Sequence, residues 1–237
     1  LYDLTTPDGI QHTVWRIERT GAVVTAFAAL PCTYVADGHH RAASAARVAR
    51  ERRKANPDHT GEEDYNGFLT VLFPASQLKI LPYNRLVLDL KGLQREAFLE
   101  SLQTVSAVSE AAGDTPEEPG DIRFYLGDRW RAIRLEADPS ADPADRLDVS
   151  LLQERILGPI LDIGDPRTSE RIAFVGGIRG TAYLEEAVQS GRAAVAFSLY
   201  PVTVDQLMDI ADAGQIMPPK STWFEPKLRS GFFIHTF

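Results

Sequence analysis

The ten residues Tyr34-Val35-Ala36-Asp37-Gly38-His39-His40-Arg41-Ala42-Ala43 constrain this chain most, because an apolar segment must turn within two residues into an alanine-rich helix. Residues 31–36 read as a short buried strand. Asp37 and Gly38 read as turn and cap, and 41–54 as a helix closed by Asn56-Pro57. A helix start leaves backbone N–H groups unpartnered and carries partial positive charge, so it favours phosphate or carboxylate at its tip. Arg41, in the first turn, opposes that field unless an anion sits there. Gly38 lets a ligand oxygen approach the main chain, and His39 and His40 supply groups that titrate near neutral pH. A structural alternative stays open: Asp37 as a simple N-cap, His40 as a core histidine bonded to a carbonyl, Arg41 paired with Asp37 or a distant glutamate.

Composition bounds the function classes. With 237 residues, 44% hydrophobic and 24% charged, the chain has material for one large domain or two small ones. Twenty-five basic residues against 33 acidic give a net charge of −8, which repels nucleic acid and anionic lipid. The one basic cluster, Arg47, Arg50, Arg52, Arg53 and Lys54, reads as a solvated helix face opposite a stripe of Ala42, Ala45, Ala46 and Ala49 packed on a sheet. The alternative is a set of charges that steers a phosphorylated ligand to the turn. The single cysteine, Cys32, excludes an internal disulfide and reads as a small buried hydrophobe. No apolar run nears the roughly 18 residues of a membrane span, and Leu1 does not open a basic-then-apolar leader. The expectation is a cytoplasmic protein with a small-molecule or nucleotide ligand and neither nucleic acid nor membrane as partner.

Along the chain, 1–6 and 10–19 flank Pro7-Asp8-Gly9 as a hairpin, and 21–30 is helix or strand. Residues 55–66 read as a mobile loop able to close over a ligand, 67–73 as a strand, and Pro82-Tyr83-Asn84-Arg85 as a turn between strands 78–81 and 86–90. A helix spans 93–103. The acidic, proline-containing segment 113–120 is the candidate boundary between subregions 1–112 and 121–237. Beyond it lie a hairpin around Gly127-Asp128, a helix to Leu157 capped by Ser150 with Gln153, a strand over 171–175 and a Gly176-Gly177 turn. A helix at 181–189, a strand at 193–199 and a helix capped by Thr203 with Gln206 follow. The class is α+β, a mixed α/β chain without internal repeats.

Other constellations are less specific. Lys220-Ser221-Thr222 imitates the end of a phosphate loop, but two prolines stand where its glycine is required. Lys220 and Lys227 still offer point charges, Ser221 and Thr222 hydroxyls, and Trp223 or Phe224 a stacking surface; the structural alternative is a proline-stiffened loop packing its aromatics on the core. Gly176-Gly177-Ile178-Arg179-Gly180 does not satisfy a dinucleotide fingerprint and reads as a tight turn bearing Arg179. Adjacent Asp37, His39 and His40 lack metal-ligand spacing, so a structural zinc is not expected; Mg2+ carried by a nucleotide and held by Asp37 or another carboxylate plus water suits the turn better. A glutamate such as Glu18, or Asp37 itself, is the candidate general base, and the sequence does not choose between them.

Three blocks carry a family resemblance: Ala36-Asp37-Gly38-His39-His40-Arg41, Ile80-Leu81-Pro82-Tyr83-Asn84-Arg85, and the run from Met217 to Leu228, PPKSTWFEPKL with its preceding methionine. Together they resemble a bacterial and archaeal family, domain of unknown function 1015, over nearly the whole chain. Its members usually carry a further N-terminal region, so the resemblance implies a trimmed protein. They often have histidine where this chain has Asn84, while Arg85 is retained. The first block is also similar to the ParB and sulfiredoxin group, whose glycine-to-arginine turn at a helix start holds nucleotide phosphates. His39 stands where sulfiredoxin has its reactive cysteine, which excludes that chemistry.

A related archaeal enzyme that phosphorylates free serine has an Asp-Gly-His-x-Arg turn similar to Asp37–Arg41. The resemblance implies a ParB/sulfiredoxin-like core in the first half, with a further sheet-and-helix subregion. It also implies a nucleotide-dependent enzyme, using ATP or ADP with Mg2+, that moves a phosphoryl group to a small hydroxyl compound. Asp37 and His40 would be catalytic, and Gly38, His39, His40, Arg41, Arg85, Lys220, Ser221 and Thr222 would hold phosphate or nucleotide. The alternatives are a non-catalytic nucleotide-binding regulatory module and a metal-dependent hydrolase.

Overall fold

The computed structural model describes residues 1–236. They form two compact units, Leu1–Val35 and Ala36–Phe237. In the first, β1 (Tyr2–Thr5) pairs antiparallel with β2 (Gln11–Val14), Tyr2 opposite Val14. Gly9, at φ +81°, closes the turn by donating its N–H to Thr6 O at 2.9 Å. This is the hairpin expected around Pro7-Asp8-Gly9. The ambiguous apolar segment resolves as a helix, α1 (Gly21–Ala28). Residues 31–36 form no strand and Cys32 is exposed, which corrects the buried-strand expectation. Local β propensity there finds no neighbouring edge to pair with.

The second unit opens with α2 (His39–Ala55), none of whose residues is buried. The alanine stripe therefore does not pack on a sheet: Ala42, Ala45 and Ala49 are half-buried, Ala46 is exposed, and the arginine face is solvated. The following loop, expected to be mobile, is internally hydrogen-bonded. Glu63 accepts from the N–H groups of Thr60 (2.6 Å) and Gly61 (3.0 Å), and Asn56 Nδ2 donates to Tyr65 Oη at 3.1 Å. Residues 67–73 form no strand, and Phe68, Leu69, Val71 and Leu72 stay exposed.

The core is an antiparallel six-stranded sheet of β4 (Tyr83–Val87), β5 (Ser109–Glu110), β6 (Asp121–Leu126), β7 (Arg129–Arg134), β8 (Ile172–Gly176) and β9 (Val195–Ser198). Its order is β5-β7-β6-β9-β4-β8. Strand β3 (Lys79–Leu81) pairs instead with β10 (Trp223–Glu225). The sheet takes strands from both sides of the 113–120 segment, which joins β5 to β6 rather than separating two sheets. Tyr83-Asn84-Arg85 was expected in a turn and lies in β4. Only Pro82 breaks the chain, because it cannot donate to a ladder; its carbonyl accepts from Gly177 N–H at 2.8 Å.

Side-chain alternation divides the interior. Val87, Ile122, Phe124, Leu126, Val195 and Phe197 share one core with Phe98 and Leu102 of α3 (Arg95–Gln103) and Leu151 and Leu152 of α4 (Asp148–Leu152). On the other face, Leu86, Tyr125, Val175 and Ala196 are covered by Leu184, Ala187 and Val188 of α5 (Ala182–Gln189). Helix α6 (Val204–Asp212) begins with the expected capping box: Gln206 N–H donates to Thr203 Oγ1 at 3.1 Å and Thr203 N–H to Gln206 Oε1 at 2.9 Å. The Ser150/Gln153 box is not formed. Ser150 Oγ donates to Ala144 O and Gln153 Nε2 to Ile163 O, and a π-helical turn, Gln153–Leu157, continues α4. Among the described residues no helix is long and apolar enough to cross a membrane.

Buried Asp148 accepts the Gly120 N–H at 2.8 Å and so pins the start of β6 to α4. Burial pushes its carboxyl up to about 6, against the pull of the Gly120 and Tyr200 amides and of Arg134, with Asp121 adding to the rise. A raised folded value favours the protonated form. Its stabilising contribution is therefore complete below the unfolded value near 3.9 and lost as pH rises through about 6. Asp148→Asn keeps the acceptor and removes the titration. Thermal melts from pH 4 to 8 should show the parent losing up to about 3 kcal/mol relative to this variant across that window; parallel curves would refute the assignment.

Candidate functional site

The start of α2 is an uncapped helix end. Gly38 is its N-cap in the left-handed region at φ +85°, no side chain caps the first turn, and no acidic residue lies within it. The Gly38 N–H is taken by Asp37 Oδ1 at 2.8 Å, and the first helical bond runs from Ala42 N–H to Gly38 O at 3.0 Å. The intervening amides of His39, His40 and Arg41 are the donors that a helix end leaves free of intrahelical partners. The Arg41 side chain folds back beside the glycine, where an added Cβ would stand 2.9 Å from Nη2 and 3.1 Å from Nε. His39 and His40 are exposed with ring centroids 4.9 Å apart, so His40 is not a core histidine.

Lys227, 190 residues away, completes this corner: its Nζ donates to Asp37 Oδ2 at 2.9 Å. Partial burial alone would raise the Asp37 carboxyl, but Lys227, the Gly38 amide and Arg41 outweigh it and hold the group below the usual carboxylate range. Two cations, Arg41 and Lys227, thus stand at the mouth of the first turn.

The C-terminal block then links this corner to the sheet through aromatic rings. Lys227 Nζ lies 5.1 Å from the Trp223 ring centroid, Trp223 is 5.6 Å from Tyr83, and Lys220 Nζ is 5.7 Å from Tyr83. Arg85 sits over Phe174 at 4.6 Å, and its Nη1 donates to Tyr83 O at 2.8 Å. Burial pushes the guanidinium down to about 9, only slightly offset by Tyr83. Each of these three cations rests on a ring. Glu225 orients the block by accepting from Trp223 Nε1 at 2.7 Å and from Lys227 N–H at 3.1 Å.

The structure therefore brings Asp37, Gly38 and Arg41 directly to Lys227, and joins Lys220 and Arg85 to them through Tyr83 and Trp223. Ser221 is buried with its hydroxyl donated to Pro218 O at 2.6 Å, closing the turn that presents Lys220; Thr222 is half-buried. Phe224 is buried and presents no stacking face. Arg179 is engaged elsewhere, 4.7 Å over Tyr183. Among the described residues no three His, Cys, Asp or Glu side chains converge on a metal position.

Gly176 was read as half of a turn, yet it closes β8 opposite Tyr83 and forms the seat of Trp223. A Cβ there would collide with Trp223 Cε3 and stand 2.6 Å from Cζ3, while one on Gly177 would stand 2.7 Å from Pro82 Cδ. The glycine pair was visible in sequence; its opposing ring was not.

The chain matches the model of a family described as protein of unknown function (DUF1015) over residues 1–150, and it belongs to that family. No curated protein matches it. Among solved structures it is similar to a free serine kinase mutant in complex with AMP, at 15% identity over 62% of this chain and 54% of that chain, TM-score 0.38. A second free serine kinase mutant with AMP aligns at 12% identity over 76% of this chain and 79% of that one, TM-score 0.40. A conserved hypothetical protein from Pyrococcus furiosus aligns at 15% over 62% and 56%, TM-score 0.38. The chain spans about half the length of the first of these kinase chains.

Gly176→Ala tests the seat directly. Because a ring packed in place cannot yield as a flexible side-chain tip would, we expect a loss of about 1–3 kcal/mol from overpacking and an altered tryptophan emission spectrum. Unchanged emission and melting temperature would show that Trp223 is not held there.

Proposed function

We propose that this chain binds the phosphates of a nucleotide, ATP or ADP, at the start of α2 and transfers a phosphoryl group from it to a small hydroxyl metabolite such as free serine. The observation that carries the reading is the uncapped first turn of a 17-residue helix flanked by two cations, Arg41 and Lys227. Such an end offers several N–H donors and a favourable field to an anion, and the two cations there share the single Asp37 carboxylate. Gly38, His39, His40 and Arg41 hold the phosphates, with Lys220 as an outlying positive charge beside the Tyr83 and Trp223 rings. Ser221 and Thr222 shape the turn that carries it.

In the transfer, the acceptor hydroxyl oxygen bonds to the terminal phosphorus, the bridging P–O bond to the nucleotide breaks, and the hydroxyl proton passes to His40. Asp37, held ionised by Lys227, is a weak base and serves by orienting that lysine. Mg2+ carried by the nucleotide would neutralise phosphate charge and would meet Asp37 as its carboxylate. On this reading 1–112 is a ParB/sulfiredoxin-like phosphate-binding subregion, 121–237 completes it by delivering Lys220 and Lys227, and the protein works in the cytoplasm.

A second reading, nucleotide binding without turnover, is favoured by one feature: the Asp37 carboxylate is already engaged by Lys227 and Gly38. Calorimetry with ADP and Mg2+, and mass spectrometry after incubation with ATP and serine, separate the two. We expect binding that weakens at least about tenfold in Arg41→Ala, the scale of a lost charge-assisted contact, together with phosphoserine formation. Binding without product leaves the second reading. No nucleotide binding by the parent refutes both.

A further inference from the structure

Arg85 is 4% exposed, yet among the described residues its guanidinium has no carboxylate partner. Its contacts are one backbone carbonyl, Tyr83 O, and the face of Phe174, against five N–H donors that a guanidinium carries. A cation taken out of water is costly unless it is paired, and one carbonyl with one ring compensates only part of that loss. Its remaining N–H groups are not among the fully buried polar atoms left without a partner, so they reach the surface beside half-buried Phe174 and Tyr83. Tyr83, Arg85, Phe174 and Phe197 share one face of the sheet through the register Tyr83 to Gly176 and Arg85 to Phe174 and Phe197. The same face leads past Trp223 to Lys227 and the α2 turn.

We infer that Arg85 is the receptor for the carboxylate of a small organic acid, separate from the phosphate cradle at α2. A planar guanidinium fork pairs bidentately with carboxylate or phosphate; the cations and free amides suited to phosphate stand at the other end of the face, at Arg41 and Lys227, which leaves the single charge of Arg85, beside Phe174 and Tyr83, for a planar monoanion. Joined to the phosphoryl-transfer reading, on which this further step rests, the acceptor is a hydroxy acid or hydroxy amino acid and not a simple alcohol. The carboxylate site itself does not depend on that reading.

The test uses the whole chain with serine, with ethanolamine as the same molecule lacking its carboxylate, and with inorganic phosphate. Serine should bind and raise the melting temperature, ethanolamine should not, and phosphate should compete with ADP rather than with serine. Arg85→Met, which keeps the apolar stem, should weaken serine binding at least tenfold while ADP binding changes less than twofold. Should that variant not fold, the Arg85 Nε–H resonance of the parent protein serves instead and should shift on adding serine and stay put with ethanolamine. Equal binding of serine by parent and Arg85→Met, an unmoved resonance, or tighter binding of ethanolamine overturns the proposal. Carboxylate binding without any phosphorylated product refutes the transfer reading alone, and phosphorylation of ethanolamine as readily as serine refutes the acceptor assignment alone.

Discussion

The register of β4 between β8 and β9 is the constraint on which the rest of the second unit depends. Arg85 stands opposite Phe174 on one side and Phe197 on the other, and Leu86 opposite Ala173 and Ala196. A slip of one residue would exchange the two faces, driving Leu86 out of its cluster under α5 and Arg85 into it. Burial of Val87 in one core and Leu86 in the other penalises that slip from both sides, so the position of a charged residue is fixed by its apolar neighbours.

The ionic contact that closes the site is far weaker than this scaffold. Asp37 and Lys227 are both roughly half exposed, and exposed pairs contribute about 0–1 kcal/mol. What places Lys227 is the chain that carries it: β10 pairs with β3, Glu225 fixes both Trp223 and Lys227, and Gly176 leaves room for the ring. The Asp37–Lys227 contact is therefore the weak part of a firmly supported corner. The Ser221 hydroxyl contributes in the same indirect way, spending its hydrogen bond on the turn that presents Lys220.

Most elements whose information is local were legible: the Gly127-Asp128 hairpin, the α5 segment and the Thr203/Gln206 cap are present, whereas the equally local Ser150/Gln153 box gave way to bonds with the Ala144 and Ile163 carbonyls. Those needing a distant partner were not. Residues 31–36 and 67–73 have strand composition without a strand, Tyr83-Asn84-Arg85 has turn composition inside one, and Cys32 is exposed where an apolar setting was expected. In every case the decision rests on whether another chain segment offers a free edge or a covering face, and a linear pattern does not record that.

The mixed α+β class, the helix beginning at the Asp37-Gly38 turn, and the charge types gathered in the first and last blocks follow from short-range effects, because glycine conformation, capping and side-chain chemistry act over a few residues. Long-range pairing brings Lys227 to Asp37 across 190 positions, seats Trp223 on Gly176, and buries Arg85 beside rings with no carboxylate partner among the described residues. Sheet pairing sets those distances, and pairing is a property of which segments find each other once the apolar faces are buried.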